Sequence, residues 1–235
     1  MKVRGRRRCT ECDTRWSYFE TGSPSCPSCG SLRSVSVEDE RTLHTDSPVD
    51  LDLSRARSML DEQPLRDVAE AAQSAASAYV RSRGFVADGE LRALDDTVLA
   101  AAELRYVADA VRRQLTVDDS TELYFLSLLS GAAAGDRPDA VSDALRAARG
   151  LATAECVAAY RRDLAKWLAE HPHPETRSVV ELVQSHEKRL GALDGEVPPA
   201  EADALVAGVR ELGDYLREED EGALARAEDR LSRLG

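Results

Sequence analysis

Cys9-Thr10-Glu11-Cys12 and Cys26-Pro27-Ser28-Cys29 set four cysteines in a C-x2-C-x13-C-x2-C array. The chemistry this implies is metal binding. Two close pairs at that separation can wrap four thiolates tetrahedrally around one Zn²⁺. Four protein ligands leave no position for water or substrate, so such a site staples a fold and does no catalysis. In the second pair Pro27 stiffens the turn. Gly30 is free to take positive φ, which lets backbone N–H groups turn toward sulfur. Iron in a rubredoxin-like site uses the same ligand type. A thioredoxin-type redox pair fits less well, since one C-x-x-C in a βαβ setting is expected there. Cys156, the fifth cysteine, lies in an apolar helical pattern and reads as a small buried residue.

The elements that must position these thiolates are short. Val3 to Arg8 leads into the first pair. Thr14 to Glu20 is aromatic and β-prone, Thr21-Gly22-Ser23-Pro24 is turn chemistry, and Leu32 to Glu38 alternates like a strand. This predicts a small β zinc ribbon, rubredoxin-like, over residues 1–41. So small a unit buries little apolar area. Its folding energy must come largely from metal, on the order of 10–16 kcal/mol in zinc-finger peptides.

The same segment is basic. Arg4, Arg6, Arg7, Arg8, Arg15 and Arg33 surround the cysteines, with Trp16, Tyr18 and Phe19 interleaved. Arginines beside exposed aromatics can grip phosphates and stack on bases, so Arg6, Arg7, Arg8, Arg15, Trp16 and Arg33 are candidate contacts to nucleic acid or another partner. The other reading has the aromatics filling the ribbon core and the arginines solvating a charged arm, or pairing with an acidic partner or with this chain's own acidic helices. Salt decides between them in part. Each phosphate contact contributes a slope of about −0.9, so a handful of contacts gives little affinity in concentrated salt.

On Cys9, Cys12, Cys26, Cys29, Gly30 and the hairpin Thr14–Glu20, residues 1–41 resemble zinc ribbons of the transcription-factor-B type. Only the ribbon shares the likeness; the rest of the chain lacks that factor's cyclin-like repeats. The opening Arg8-Cys9, Cys12 and Thr14-Arg15-Trp16-Ser17-Tyr18 also resembles uncharacterised haloarchaeal zinc-ribbon proteins. The resemblance implies one structural zinc and a link to transcription.

Residues 42–49 read as a linker, and 50–235 as an acidic all-α multi-helix domain of seven or eight helices. A first helix is expected over 50–62. A second runs from Pro64 to Arg83, with Gly84 as its stop. Asp88 is the expected cap of a third, carrying Leu91 through Leu115. Asp119 and Glu122 suggest a capping box. The helix after them is apolar nearly all round and is expected at the centre of the core, ending at Gly135. Pro138 to Glu170 follows, bent at Gly150. Helices around Val179–Leu193, Leu205–Leu216 and Leu224–Leu234 complete the chain. No strand pattern is visible after residue 45.

Charge is unevenly placed. Residues 1–45 carry +2 of a formal net charge of −12, which leaves −14 on the remainder. Lysines number only three (Lys2, Lys166, Lys188) against 28 arginines, with many carboxylates and few aromatics. This suggests a halophilic protein whose hydrated carboxylates keep it soluble; a GC-rich genome with an ordinary acidic protein gives the same bias. The basic N-terminus lacks an apolar core for a signal peptide, and the longest uncharged stretch, Leu123 to Gly135, is too short to span a bilayer. A cytoplasmic location without membrane contact is expected, and free cysteines in a reducing compartment favour metal.

His171 and His173 flank Pro172 at a helix end and read as an exposed turn rather than a metal pair. His186 lies on an apolar stripe. No catalytic triad, P-loop or dinucleotide-binding pattern stands in a suitable context, and no small-molecule substrate is evident. The expectation is a non-enzymatic zinc protein. In one reading the ribbon docks nucleic acid or the transcription machinery. In the alternative, the helices bind a protein partner and the ribbon is a staple.

Overall fold

The computed structural model describes residues 1–234. They are mostly helical, with small antiparallel strands near the N-terminus. In the N-terminal head, β2 (Arg6–Cys9) lies between β3 (Arg15–Ser17) and β4 (Ser34–Ser36), while β1 (Lys2–Val3) pairs with β5 (Thr42–Leu43). The strand expected over Thr14–Glu20 stops at Ser17. There the chain turns into a short helix, α1 (Tyr18–Thr21), which buries Phe19. Gly5 makes room for that ring: a Cβ on it would lie 1.9 Å from Phe19 Cε2.

Eight helices form the body: α2 (Ser54–Ser58), α3 (Leu65–Ser82), α4 (Asp96–Arg113), α5 (Asp119–Gly131), α6 (Arg146–Leu168), α7 (Arg177–Ala192), α8 (Pro199–Leu216) and α9 (Ala223–Ser232). α4 packs against α3, α5 and α6, and α6 packs against α7 and α8. α4, not α5, is the central helix. Ala100, Ala101 and Ala102 are all fully buried on it, and such small side chains let helices approach from several sides. α5 lies further out, with Leu123 64% exposed.

Several expected boundaries move for local reasons. The first helix shrinks from 50–62 to Ser54–Ser58, because the Asp52 carboxylate accepts from the Ser54 amide and holds an extended entry in which Leu51 and Leu53 are already buried. Asp118, not Asp119, caps α5, accepting from the amides of Ser120 and Thr121. α6 begins at Arg146 and continues unbroken through Gly150, whose missing side chain serves packing: a Cβ would lie 2.1 Å from the Gly195 carbonyl oxygen.

Asp88 caps no helix. It forms the tip of a hairpin, β6 (Val86–Ala87) with β7 (Glu90–Leu91), so strands do occur after residue 45. Asp88 and Gly89 both take positive φ, 54° and 80°, the backbone a two-residue primed turn demands. Asp95 caps α4 instead, accepting from the Val98 amide at 2.8 Å.

The segment 42–49 is built into both parts. β5 holds Leu43 buried, the His44 amide donates to the Met1 carbonyl, and the Thr45 amide donates to Val86. Thr45 Oγ1 donates to Asp163 on α6 at 2.6 Å, and Arg83 at the end of α3 pairs with Asp46 at 2.8 Å. Lys2 reaches Glu170 at 3.0 Å. No helix among the described residues is long and apolar enough to cross a membrane.

Candidate metal centre

Two hydrogen-bonded knuckles carry the cysteines. In the first, Cys9 ends β2 and its amide donates to Thr14 across the turn holding Cys12. In the second, the Gly30 amide donates to the Cys26 carbonyl, and the Cys26 amide to Ser31. The knuckles match in conformation. The residue after each second cysteine is left-handed: Gly30 at φ 72° and Asp13 at φ 57°. Sequence reasoning singled out Gly30 and missed Asp13. Its short polar side chain is one of the few beyond glycine that tolerates this region.

The four sulfurs lie within 4.8 Å of one another. Cys9 Sγ is 3.6 Å from Cys29 Sγ, Cys12 Sγ is 3.6 Å from Cys26 Sγ, and Cys12 Sγ is 3.5 Å from Cys29 Sγ. A metal–sulfur bond of about 2.3 Å in a regular tetrahedron puts sulfurs about 3.8 Å apart, so the set fits one ion with little adjustment. The Glu11 amide donates toward Cys9 Sγ from 3.5 Å, a contact that stabilises thiolate charge and orients the ligand, and Cys12 Sγ lies 3.2 Å from Thr14 Oγ1. Cys9 and Cys26 are buried and form a small apolar cluster with Trp16, separate from the body's core. Cys12 and Cys29 face outward. The four cysteines can hold one metal ion.

The six expected contact residues divide. Trp16 is buried, and its Nε1 donates to the Ser23 carbonyl, so it fills the head and offers no stacking surface. Phe19 is buried too; of the three aromatics Tyr18 alone is half-exposed. Strand alternation separates the arginines. Arg8 stands opposite both Arg15 and Val35, and Arg6 opposite Ser17, so these residues share the outer sheet face. Arg33 and Val37 continue it by alternation. Arg7 stands opposite Trp16 and Ser36 on the other face. Arg6 pairs with Glu38 at 3.3 Å and Arg33 with Glu11 at 3.5 Å. Arg8 and Arg15 have no carboxylate partner among the described residues.

The remaining candidates do not converge. Among the described residues, the four cysteines are the only group of three or more ligand-type side chains close enough to share an ion. His171 stacks on Trp167 with centroids 4.3 Å apart, while His173 Nδ1 meets Glu175 at 3.0 Å. His186 is buried with Nε2 2.9 Å from the Leu231 carbonyl, a satisfied core position for the tautomer protonated there. Burial pushes the Cys156 thiol far up, so it stays protonated and inert.

Sequence reasoning missed one buried polar cluster. Glu103 on α4 is fully buried. It accepts from Arg149 Nε at 3.2 Å and from the Tyr124 hydroxyl, with Arg137 3.4 Å away. These residues come from four separate stretches of chain, and no local spacing signals their meeting.

No curated protein and no solved structure matches the chain. A single family model spans both the cysteine-bearing head and the helical body, matching residues 1–231, and the chain belongs to that family, described as a family of unknown function (DUF7117).

Proposed function

We propose that this is a non-enzymatic zinc-binding protein whose ribbon docks nucleic acid or the transcription machinery. One observation carries the reading: Arg8 and Arg15 are held directly opposite each other on an exposed sheet face, with no carboxylate partner among the described residues. Like charges set opposite in a sheet cost stability, and an anionic partner removes that cost. Zinc is the metal this donor set suits best: four thiolates on rigid knuckles make a closed tetrahedral site. Its role is to hold the arginine-bearing sheet. The transcription-factor-B likeness supports the same reading for the head.

A protein partner is the second reading, favoured by a different observation. Trp16 and Phe19 are buried, while Leu32, Val35 and Val37 stand exposed among the arginines. A mixed apolar and basic face suits an acidic protein surface. Electrophoretic mobility shift in graded KCl separates the two. Retarded DNA or RNA, lost in the Arg8→Gln/Arg15→Gln double variant, supports the first. Absence of binding to any DNA or RNA, with a partner outside the transcription machinery bound through that same face, overturns it in favour of the second.

A further inference from the structure

On the sheet face opposite the Arg8–Arg15 pair, the β1–β5 pair meets the three-stranded sheet and leaves a groove of about 430 Å³. Four cations line it, Lys2, Arg4, Arg7 and Arg41, together with Tyr18, and no carboxylate is among its lining residues. Lys2 alone of the four is neutralised, by Glu170. Arg4 Nε donates to the Asp39 backbone carbonyl and Arg7 Nε to the Ser34 hydroxyl at 2.8 Å; both acceptors are neutral. Arg41 is exposed and makes no side-chain hydrogen bond or ion pair among the described residues. Three uncompensated guanidinium groups thus meet around one concavity.

We propose that this groove binds one nucleotide unit, its phosphate on Arg7 and Arg41 and its base on Tyr18. The proposal rests on the docking reading above and names the ligand that reading leaves open. Guanidinium forks match phosphate oxygens bidentately. The Tyr18 ring is half-buried and meets His44 edge-on, with centroids 6.2 Å apart. Base–aromatic stacking tolerates any sequence. The volume falls in the small-ligand range of roughly 300–1,000 Å³, enough for one nucleotide and too small for a duplex. An acidic peptide would satisfy the cations; the flat ring beside them favours a phosphate that carries a base.

The test is fluorescence anisotropy with a labelled oligothymidylate across a KCl series. Competition by free thymidine monophosphate, by inorganic phosphate and by oligoglutamate completes it. Arg7→Gln/Arg41→Gln is expected to weaken the oligonucleotide at least tenfold and to flatten its salt slope by about 1.4, two contacts at about 0.7 each. Tyr18→Leu is expected to cost about tenfold. Monophosphate should compete better than inorganic phosphate, and oligoglutamate poorly. Arg41→Gln alone should weaken binding, and because that side chain is exposed and unbonded, the fold stays intact. Wild-type affinity in Arg7→Gln/Arg41→Gln overturns the proposal, as does oligoglutamate competing as well as monophosphate. Oligonucleotide binding lost only in Arg8→Gln/Arg15→Gln overturns the groove and leaves the docking reading standing. Monophosphate bound through Arg7 and Arg41 with no oligonucleotide binding keeps the groove as a nucleotide site and overturns nucleic-acid docking. Absence of both overturns both.

Discussion

Removing the metal should unfold the head and spare the body. The head's separate apolar cluster is Cys9, Trp16 and Cys26. Burying the Trp16 indole removes about 150–250 Å² from water. At about 25 cal/mol per Å² that is about 4–6 kcal/mol. Bound structural zinc supplies about 10–16 kcal/mol in peptides of this kind, so chelation removes more stabilisation than the indole can supply. The body keeps its continuous core, including Val98, Leu104, Phe125, Tyr160 and Leu205. The two tryptophans make the assay local, since Trp16 lies in the head and Trp167 on α6. In a Trp167→Phe variant under reducing conditions, chelator should shift Trp16 emission to that of a water-exposed indole. Helical circular dichroism should hold, because all but the four residues of α1 lie in the body. Native-like Trp16 emission after elemental analysis confirms metal loss would refute the reasoning. So would a collapse of the helical signal in step with it.

Three further outcomes follow from the packing. Glu103→Gln leaves Arg149 with the half-exposed Asp203, 3.5 Å away, as its one remaining carboxylate among the described residues, and should cost up to about 3–5 kcal/mol, seen as a loss in Tm of about 2–4 °C per kcal/mol for a chain of this size. Gly150→Ala drives a Cβ to 2.1 Å from the Gly195 carbonyl oxygen and should lower the urea midpoint by about 1–3 kcal/mol of stability, with metal content unchanged. His44 is packed 4.7 Å from the Phe19 ring, and its Nδ1 accepts from the Asp88 amide; burial holds its pKa below the usual 6.5, against a smaller opposing pull from Asp46 and Asp88. The unfolded chain therefore takes up this proton first on acidification. The contribution is complete above about pH 6.5 and is lost as pH falls toward the lowered folded value. Urea titrations from pH 7 to 5.5, with metal content checked at each step, should show this slope in the wild type and lose it in His44→Phe.

Legibility followed the range of the forces involved. The cysteine knuckles, the Asp118–Asp119 start of α5, the proline start of α8 and the break at 171–174 each depend on residues a few positions apart, and their spacing shows it. The Asp88-Gly89 hairpin is equally local. It stays hidden because Leu91 and Leu94 continue a helical stripe, which makes the turn signal look like a helix cap. The place of α5 failed for another reason. An apolar helix marks itself as buried, but alanines on α4 reach the centre by being small, a property of fit between helices rather than of hydropathy.

By itself the sequence determined the candidate metal-ligand set, the mostly helical body and the contrast between a basic head and an acidic remainder, since these rest on residue type and short spacing. Tertiary structure alone decided that Trp16 fills the head, that Arg8 faces Arg15 while Arg7 joins Lys2, Arg4 and Arg41 on the other side, and that Glu103 meets Arg149. Strand register and helix packing set those neighbours. Both are fixed by the summed burial of residues far apart in the chain, which no local pattern encodes.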